Sequence, residues 1–430
     1  MKNHFLYALT MMFFVLVVVS ACSGNSDSED SNGEDGKEKI EFWTLALSDY
    51  DDFFEDLIDD FEEENPNVEV ELLDVPADEI EQKLLSAVSA GESPDVVNLN
   101  PQFSYKLAGE GELLDMEDKV SDKEKDSYID AAWEANQYKG ETFGIPYTVS
   151  AELTVLNSDI YEEAGLDPND SPETYEETKE DSETIKDETG KYGFYPAMDE
   201  SKTIIYMQKF GADLTNEEGT KAAFNTQEGL NMFEYFTEMY EDDLIPDEAL
   251  SRNDSQPQGV DRYQSGEVSI FPGSVFLRQY KANAPDIYDA SKVSKPIEGE
   301  SGEVSLSVHN LVVPKQSEHQ DAAVDFSLFV SNAKNQLDWG KEAPVIPSSE
   351  EALEDDYFTE ESDDPIDDAR VKNAETVSSG DAVVLEPQLN NRKELVDSMH
   401  DWLEKSMRGD VTPQEALDGA EEEWNELLAE

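Results

Sequence analysis

Between residues 40 and 97 the apolar positions switch back and forth between two spacings. Ile40, Phe42 and Thr44 fall on every second position, the period of a half-buried strand. Tyr50, Phe53, Phe54, Leu57, Ile58 and Phe61 then recur at helical spacing until Asn65, Pro66 and Asn67 break the pattern. Val68, Val70 and Leu72 alternate again, and Ile80, Leu84, Ala87 and Val88 mark a second amphipathic helix. Turn residues at 91–94 end that helix before the apolar pair Val96 and Val97. Strand, helix, strand, helix, strand predicts a parallel α/β sheet, whose ligands bind beyond the carboxyl ends of the strands.

A second region of the same kind starts near Thr148. Residues 152–156 alternate as a strand, Ser171 and Pro172 read as an N-cap followed by a first-turn proline, and residues 268–271 form another short strand. Leu230, Phe233, Thr237 and Tyr240 share one helix face. After Leu306 the apolar stretch 308–313 leads to Pro314, and Ala322, Phe326, Phe329 and Val330 line the next helix. Two helices close the chain. The first carries Leu395, Met399, Trp402 and Leu403; the second opens with Thr412, Pro413, Gln414 and Glu415, a capping box with proline at the first helical position. With 430 residues and no short-period repeat, two domains are expected.

The N-terminus follows neither pattern. Lys2 precedes a nearly continuous apolar run over 8–19, too short for a membrane span of roughly 20 residues, and Val19, Ser20, Ala21 and Cys22 end it like an export signal. Cys22 is the only cysteine, so an internal disulfide is excluded; a reactive thiol, a dimer link and a lipid attachment point are the roles open to it. Residues 23–39 are polar and acidic without a periodic apolar position, so they cannot offset their ordering entropy by burial and read as a tether.

Charge narrows the function. Against 30 basic residues stand 102 acidic ones, a formal net charge of -72 spread along the whole chain. Such a surface repels nucleic acid phosphates, so no nucleic-acid partner is expected. At molar salt the screening length falls to about 3 Å and self-repulsion mostly disappears, which predicts a salt-adapted source.

Several segments carry a resemblance. These are Phe42 and Trp43; residues 91–97; Tyr138, Lys139 and Gly140 followed by residues 143–147; residues 156–159 and 163–166; and Gly266, Glu267 and Val268 with Gly273 and Ser274. Their joint order resembles the extracellular solute-binding proteins of bacterial ABC importers, in particular the sugar-binding branch that includes maltose-binding proteins, from Ile40 to the C-terminus. Val19 to Cys22 is similar to the lipobox of bacterial lipoproteins, in which the cysteine is acylated and becomes the new N-terminus. The resemblance implies a lipoprotein signal peptide at 1–21 and a tether at 22–39. It also implies two α/β lobes, one from 40–147 plus about 309–343, the other from 148–308 plus about 344–430. A sugar would be held in the cleft between them, and closure would signal occupancy to the permease subunits in the membrane. An extracytoplasmic, lipid-anchored monomer without cofactor or catalytic residues is expected.

Sugar recognition uses flat aromatic faces and planar polar groups that pair with hydroxyls. The loops after the first and third strands offer Trp43, Ser48 and Asp49, and Asn98, Asn100 and Gln102; matched to the family, these form the first-lobe wall. Packing inside the lobe is the alternative for Trp43, and a solvated turn for the amides. The resemblance puts Tyr147 and Ser150 on the first crossover, Tyr206, Ser274 and Phe276 on the second-lobe wall, and His309 and Asn310 where the second crossover enters the first lobe. Where the family often has tryptophan after the Gly-Ser pair, this chain has Val275, which argues against a long stacking platform. Four scattered histidines, and acidic runs lacking the glycine and final glutamate of a calcium loop, predict no metal site.

Two other functions compete. A glycoside hydrolase needs two carboxylates at a set separation, and in so acidic a chain their abundance decides nothing. No Gly-x-Ser-x-Gly elbow, zinc motif or phosphate loop is present. A polyamine-binding protein would suit the acidic surface, but a neutral sugar loses nothing to screening in brine.

Overall fold

The computed structural model describes residues 36–45, 50–76, 79–198, 201–252, 254–385 and 391–429. Its strands, in chain order, are β1 (Glu38–Leu45), β2 (Val68–Val75), β3 (Val96–Leu99), β4 (Gln137–Tyr138), β5 (Glu141–Thr142), β6 (Ile145–Ala151), β7 (Thr154–Asn157), β8 (Tyr192–Phe194), β9 (Val268–Pro272), β10 (Ser291–Ser294), β11 (Val304–Val312), β12 (Ile346–Pro347) and β13 (Ala382–Val383).

They build two separate sheets and a small hairpin of β4 and β5. The first sheet runs β12-β6-β11-β3-β1-β2, with β13 also paired to β11; the second runs β10-β7-β9-β8. In the first sheet β1 lies parallel to β2 over its whole length and parallel to β3, while β11 runs antiparallel to β3 and β6. The alternation read in the sequence decides the layers. Ile40, Phe42 and Val96 pack on the helices Asp51–Glu64 and Gln320–Val330 through Phe54, Phe61 and Phe326; Trp43, Val97 and Leu99 turn to the opposite face, against Leu84, Phe103 and Leu107. The second sheet is covered on both faces too. Leu156, Phe194 and Ile270 meet a core closed by Leu395, Met399, Leu417 and Trp424, and Val155, Val268 and Phe271 meet Tyr195, Tyr263 and Tyr280.

The chain passes between the sheets at places the sequence reading did not find. β6 stays in the first sheet through Ala151 rather than leaving near 147, and β11 joins it from Val304 rather than from 309, because the two strands pair with each other as Leu306–Ala151, Ser307–Ser150 and Val308–Val149. Residues 344–385 were expected with the second lobe. Instead β12 and β13 extend the first sheet, and the helix Pro365–Val377 lies across both lobes: Ala374 and Val377 pack with Val149 and Leu306, whereas Ile366 and Ala369 pack with the second lobe. Asn373 on that helix grips the strand end, accepting the Ala151 N–H at 3.0 Å and donating to the Ala151 carbonyl at 3.1 Å.

One irregularity sets the faces of the crossover ribbon. Opposite His309 and Asn310 stand Thr148 and Pro146, so Tyr147 is an extra residue on β6, a β-bulge. Before it, Ile145 and Tyr147 belong to the core beneath Phe42; after it, Val149 and Ala151 belong to the core on the opposite side. The N-cap expected at Ser171 is also displaced: the helix Tyr175–Thr189 starts from a capping box of Thr174 and Glu177. The capping box of Thr412 and Glu415 stands where the sequence put it.

The helix Lys202–Lys209 meets both crossovers. Lys202 at its start pairs with Glu152, just past β6. Lys209 at its end is buried and donates to the Ile297 carbonyl at 3.1 Å, while its own carbonyl accepts the Ser301 N–H at 3.2 Å. Gly299 is required there, since an added Cβ would stand 2.0 Å from the Lys209 oxygen.

Candidate ligand cleft between the two lobes

The carboxyl ends of β1 and β3 form the first wall. Thr44 and Asn98 lie side by side, the Asn98 amide donating to the Thr44 hydroxyl at 3.2 Å. Asn98 Oδ1 is buried and has no hydrogen-bond partner among the described residues. Asn100 is the N-cap of the helix Pro101–Glu110: its Oδ1 accepts the Phe103 N–H at 2.9 Å, its Nδ2 donates to Glu81 at 3.3 Å, and Pro101 occupies the first helical position. Gln102 is exposed on the first turn. Trp43 is in the core, its indole N–H donating to Glu41 at 2.8 Å and its ring covered by the Lys83 ammonium at 4.6 Å. Ser48 and Asp49 lie outside the described residues, as does Cys22.

β6 and β11 continue past the ends of β1 and β3 as a two-stranded floor. One of its faces is apolar and buried: Val149, Ala151, Val304, Leu306 and Val308 pack on Leu353, Phe358, Ala374 and Val377. The other face carries Thr148, Ser150, Ser305, Ser307 and His309, none of them buried and Ser307 exposed. Register pairs Ser150 with Ser307 and Thr148 with His309. Although its edge is open to solvent, the His309 ring is largely desolvated by the surrounding protein, which lowers its pKa below the ordinary value. Tyr147 is buried beside this face, and burial drives its hydroxyl well above the ordinary range, so it stays protonated. Asn310 points to the opposite side from His309, is buried, and leaves its Oδ1 without a partner among the described residues.

The second wall is the end of β9. Gly273 lets the chain fold over the Phe271 ring, which an added Cβ would approach to 2.4 Å, and residues 274–276 make a short 3-10 turn above it. Phe276 is half-buried against Phe271, with ring centres 6.1 Å apart. Ser274 is partly exposed, and Val275 is 72 % exposed, the large hydrophobic side chain that stands out among the described residues. Tyr206 is not on this wall. It is buried, donates its hydroxyl to the Pro196 carbonyl, and packs on Phe236 at 4.8 Å.

The structure thus brings Asn98, Ser150 and His309 to one face and puts Ser274, Val275 and Phe276 on a separate turn, while Trp43, Tyr206 and Asn310 are turned into cores. Thr148, Ser305 and Ser307 share that face and were not among the sequence candidates. Their signal is the strict alternation from Val304 to His309, of which the sequence reading used only the apolar stretch from Val308 onward. A cavity of about 600 Å³ lies elsewhere, lined by Tyr105, Ile129, Glu134, Glu350 and Val384. It adjoins the apolar core behind the floor, to which Ile129 belongs.

The profile of the family described as "bacterial extracellular solute-binding protein" matches residues 56–366. An arabinooligosaccharide-binding protein of Halalkalibacterium halodurans is 26% identical over 331 residues, 73% of this chain and 73% of that protein. The diacetylchitobiose binding protein DasA of Streptomyces coelicolor is 24% identical over 426 residues, 97% of this chain and 96% of its own. Among solved structures, a Synechococcus sp. MITs9220 protein assigned as an oligosaccharide periplasmic-binding protein superposes with a TM-score of 0.80 at 31% identity, covering 91% of this chain and 99% of that one.

Proposed function

We infer the function from the premise that this chain belongs to the bacterial extracellular solute-binding proteins: it is the extracytoplasmic component of an ABC importer and its solute is a mono- or oligosaccharide. The observations that carry the sugar reading are the uncharged, hydroxyl-bearing face of the crossover strands and the exposed apolar turn at the end of β9. Hydroxyls both donate and accept, matching a sugar's own groups, and an apolar surface matches the C–H face of its ring. Relatives that bind arabinooligosaccharides and diacetylchitobiose support the same ligand class. Gln102, Ser150, Ser274, Phe276 and His309 are the proposed contacts from the sequence reading that remain accessible.

We read the chain as a binder rather than a hydrolase because the relatives it matches are binding proteins. Closure of the lobes on the sugar then reports occupancy to the permease. Acylation at Cys22 holds the protein at the outer face of the membrane through a tether that ends before Glu38 rather than at 39, since Glu38 and Lys39 already pair with Val68 and Glu69 in the first sheet; one acyl chain anchors only marginally, so several are expected.

Calorimetry of the mature protein against a panel of neutral oligosaccharides and polyamines, with product analysis of the same samples, tests this reading. Saturable heat with a sugar and no product is expected. Glycoside turnover, or heat with spermidine alone, overturns it. The carboxylate surface further predicts that the thermal midpoint rises between 0.1 M and 2 M sodium chloride, on the order of the screening change; a flat response would remove the salt-adapted source.

A further inference from the structure

We propose that the helix Lys202–Lys209 clasps both crossovers to the second lobe, and that the Lys209 ammonium is a positioning group that opposes closure: losing its charge frees the lobes to close, so capture of an uncharged solute depends on pH through a residue that never touches it. This rests on the sugar-importer reading and goes beyond it by placing a control point outside the solute site.

The clasp is visible in the bonding. At the helix start Lys202 pairs with Glu152 of the first crossover. At its end Lys209 grips the second crossover with both of its polar ends: Nζ donates to the Ile297 carbonyl at 3.1 Å and the Lys209 carbonyl accepts the Ser301 N–H at 3.2 Å, with Gly299 pressed against the same oxygen. The Glu298 N–H adds a 2.7 Å bond to the Glu173 carbonyl, just before the helix Tyr175–Thr189. The second lobe therefore holds the chain as far as Ser301, whereas β11 belongs to the first sheet from Val304. Gly302 and Glu303 lie between, and Gly302 has φ +70°, a left-handed conformation that glycine adopts without strain. The matching gap in the first crossover is Glu152 and Leu153, between β6 and β7. Rotation of the lobes is absorbed in these two short gaps, and one of them contains the carboxylate to which the helix is tied.

The amine itself supplies the second observation. Lys179 and Arg262 pair with carboxylates at the surface, as befits so acidic a chain. Lys209 is 4% exposed, and the Ile297 carbonyl is the hydrogen-bond partner of an ammonium that carries three donors. The charges around it are Glu152 in the hinge gap and Glu298 on the second crossover, which favour its protonated form, and Lys202, which opposes it; Tyr175 presents its ring at 6.0 Å, with Tyr235 packed 5.5 Å from that ring. Burial brings its pKa down to about 8, so its charge is lost where carboxylates are already ionised and exposed lysines still protonated. Moving Glu152 away destabilises an ammonium and costs a neutral amine nothing. Closure is then linked to release of a proton, and solute binding tightens as pH rises through 8.

The test is calorimetric titration of arabinotriose and N,N′-diacetylchitobiose, with spermidine as the charged probe, into the full mature chain at about pH 7, 8 and 9.5, in two buffers of different ionisation heat. The sugar that binds is expected to do so about threefold to tenfold more tightly at the highest pH than at the lowest, with proton release near pH 8. Lys209→Met should bind at the wild type's high-pH affinity throughout, and Lys209→Arg, which keeps its charge, at the low-pH affinity throughout. Glu152→Gln, at a half-buried site that leaves the core intact, should flatten the profile with an unchanged fold by circular dichroism. A wild-type affinity that is flat in pH, proton uptake on binding, or the wild-type profile persisting in Lys209→Met or Glu152→Gln overturns the clasp and leaves the sugar reading intact. Saturable heat with spermidine and none with either sugar at any pH overturns the sugar reading on which the clasp rests.

Discussion

The two walls of the cleft treat their side chains in opposite ways. At the ends of β1 and β3, polar groups serve the protein: Asn100 caps a helix with one atom and holds Glu81 with the other, and Asn98 ties β3 to Thr44. Across the gap the ordinary sorting of side chains is reversed twice, with Val275 exposed at 72 % and Lys209 4 % exposed inside the lobe. A lone valine in water is ordinary, but an ammonium in a core is rare and costs stability, which marks a site where something else is being served. Val275 stands on the turn after β9, and Lys209 holds the segment that leads from β10 to β11. The difference teaches that Asn100, placed like a ligand contact at the first wall, serves the fold, whereas the second wall leaves an apolar side chain open.

The largest effect expected from breaking this contrast is at Lys209. Burial lowers its pKa from 10.5 to about 8. Between those values the unfolded chain binds a proton that the folded chain does not, so this lysine's destabilising contribution, fully present below pH 8, is relieved as pH rises to 10.5. A shift of that size corresponds to about 3 kcal/mol. Urea unfolding of wild type and Lys209→Met across pH 7 to 10.5 should show wild type gaining stability on the variant by up to that amount. Parallel curves would mean the ammonium is solvated. Glu152 and Glu298, which raise its pKa, and Lys202, which lowers it, are the charges nearest it, and Tyr175 presents its ring at 6.0 Å.

Smaller changes separate the walls. Asn100→Ala removes an N-cap and should lower stability by about 1 kcal/mol, read as a fall in the urea midpoint, while sugar affinity changes little. Val275→Ser should do the reverse: an unaltered midpoint and binding weaker by about threefold to tenfold, because burial of the valine by ligand is worth about 1 kcal/mol. If Asn100→Ala costs affinity and Val275→Ser does not, the assignment of scaffold and working wall is inverted.

The sequence disclosed the local elements well. β1, the helix Asp51–Glu64, β2, the helix Ile80–Ala90 and β3 follow directly from apolar spacing, and the Thr412 capping box from residue identity. It disclosed the crossovers poorly. Whether β6 ends at 147 or at Ala151 depends on its pairing with β11, more than 150 residues away, and no local signal carries that register. β12 and β13, two residues each, exist only because β6 and β11 offer them an edge. Asn100 shows a different kind of error: asparagine followed by proline is an N-cap signal, yet in an acidic chain three uncharged amides draw the eye toward a ligand. Trp43 was open to either reading, and side-chain alternation against Phe42 puts it in the core with Val97.

The extra residue at Tyr147 has a reach far beyond its own place in the chain. Strand geometry keeps parity, so one inserted unit decides which half of every later residue looks toward solvent. Had Tyr147 been paired in the ladder like its neighbours instead of bulging, Val149 and Ala151 would line the gap between the lobes and Thr148 and Ser150 would be pressed into oil. A greasy slot cannot greet a hydrated guest. The chemistry of this gap was therefore settled by a counting step in the backbone before any particular side chain was selected to fill it.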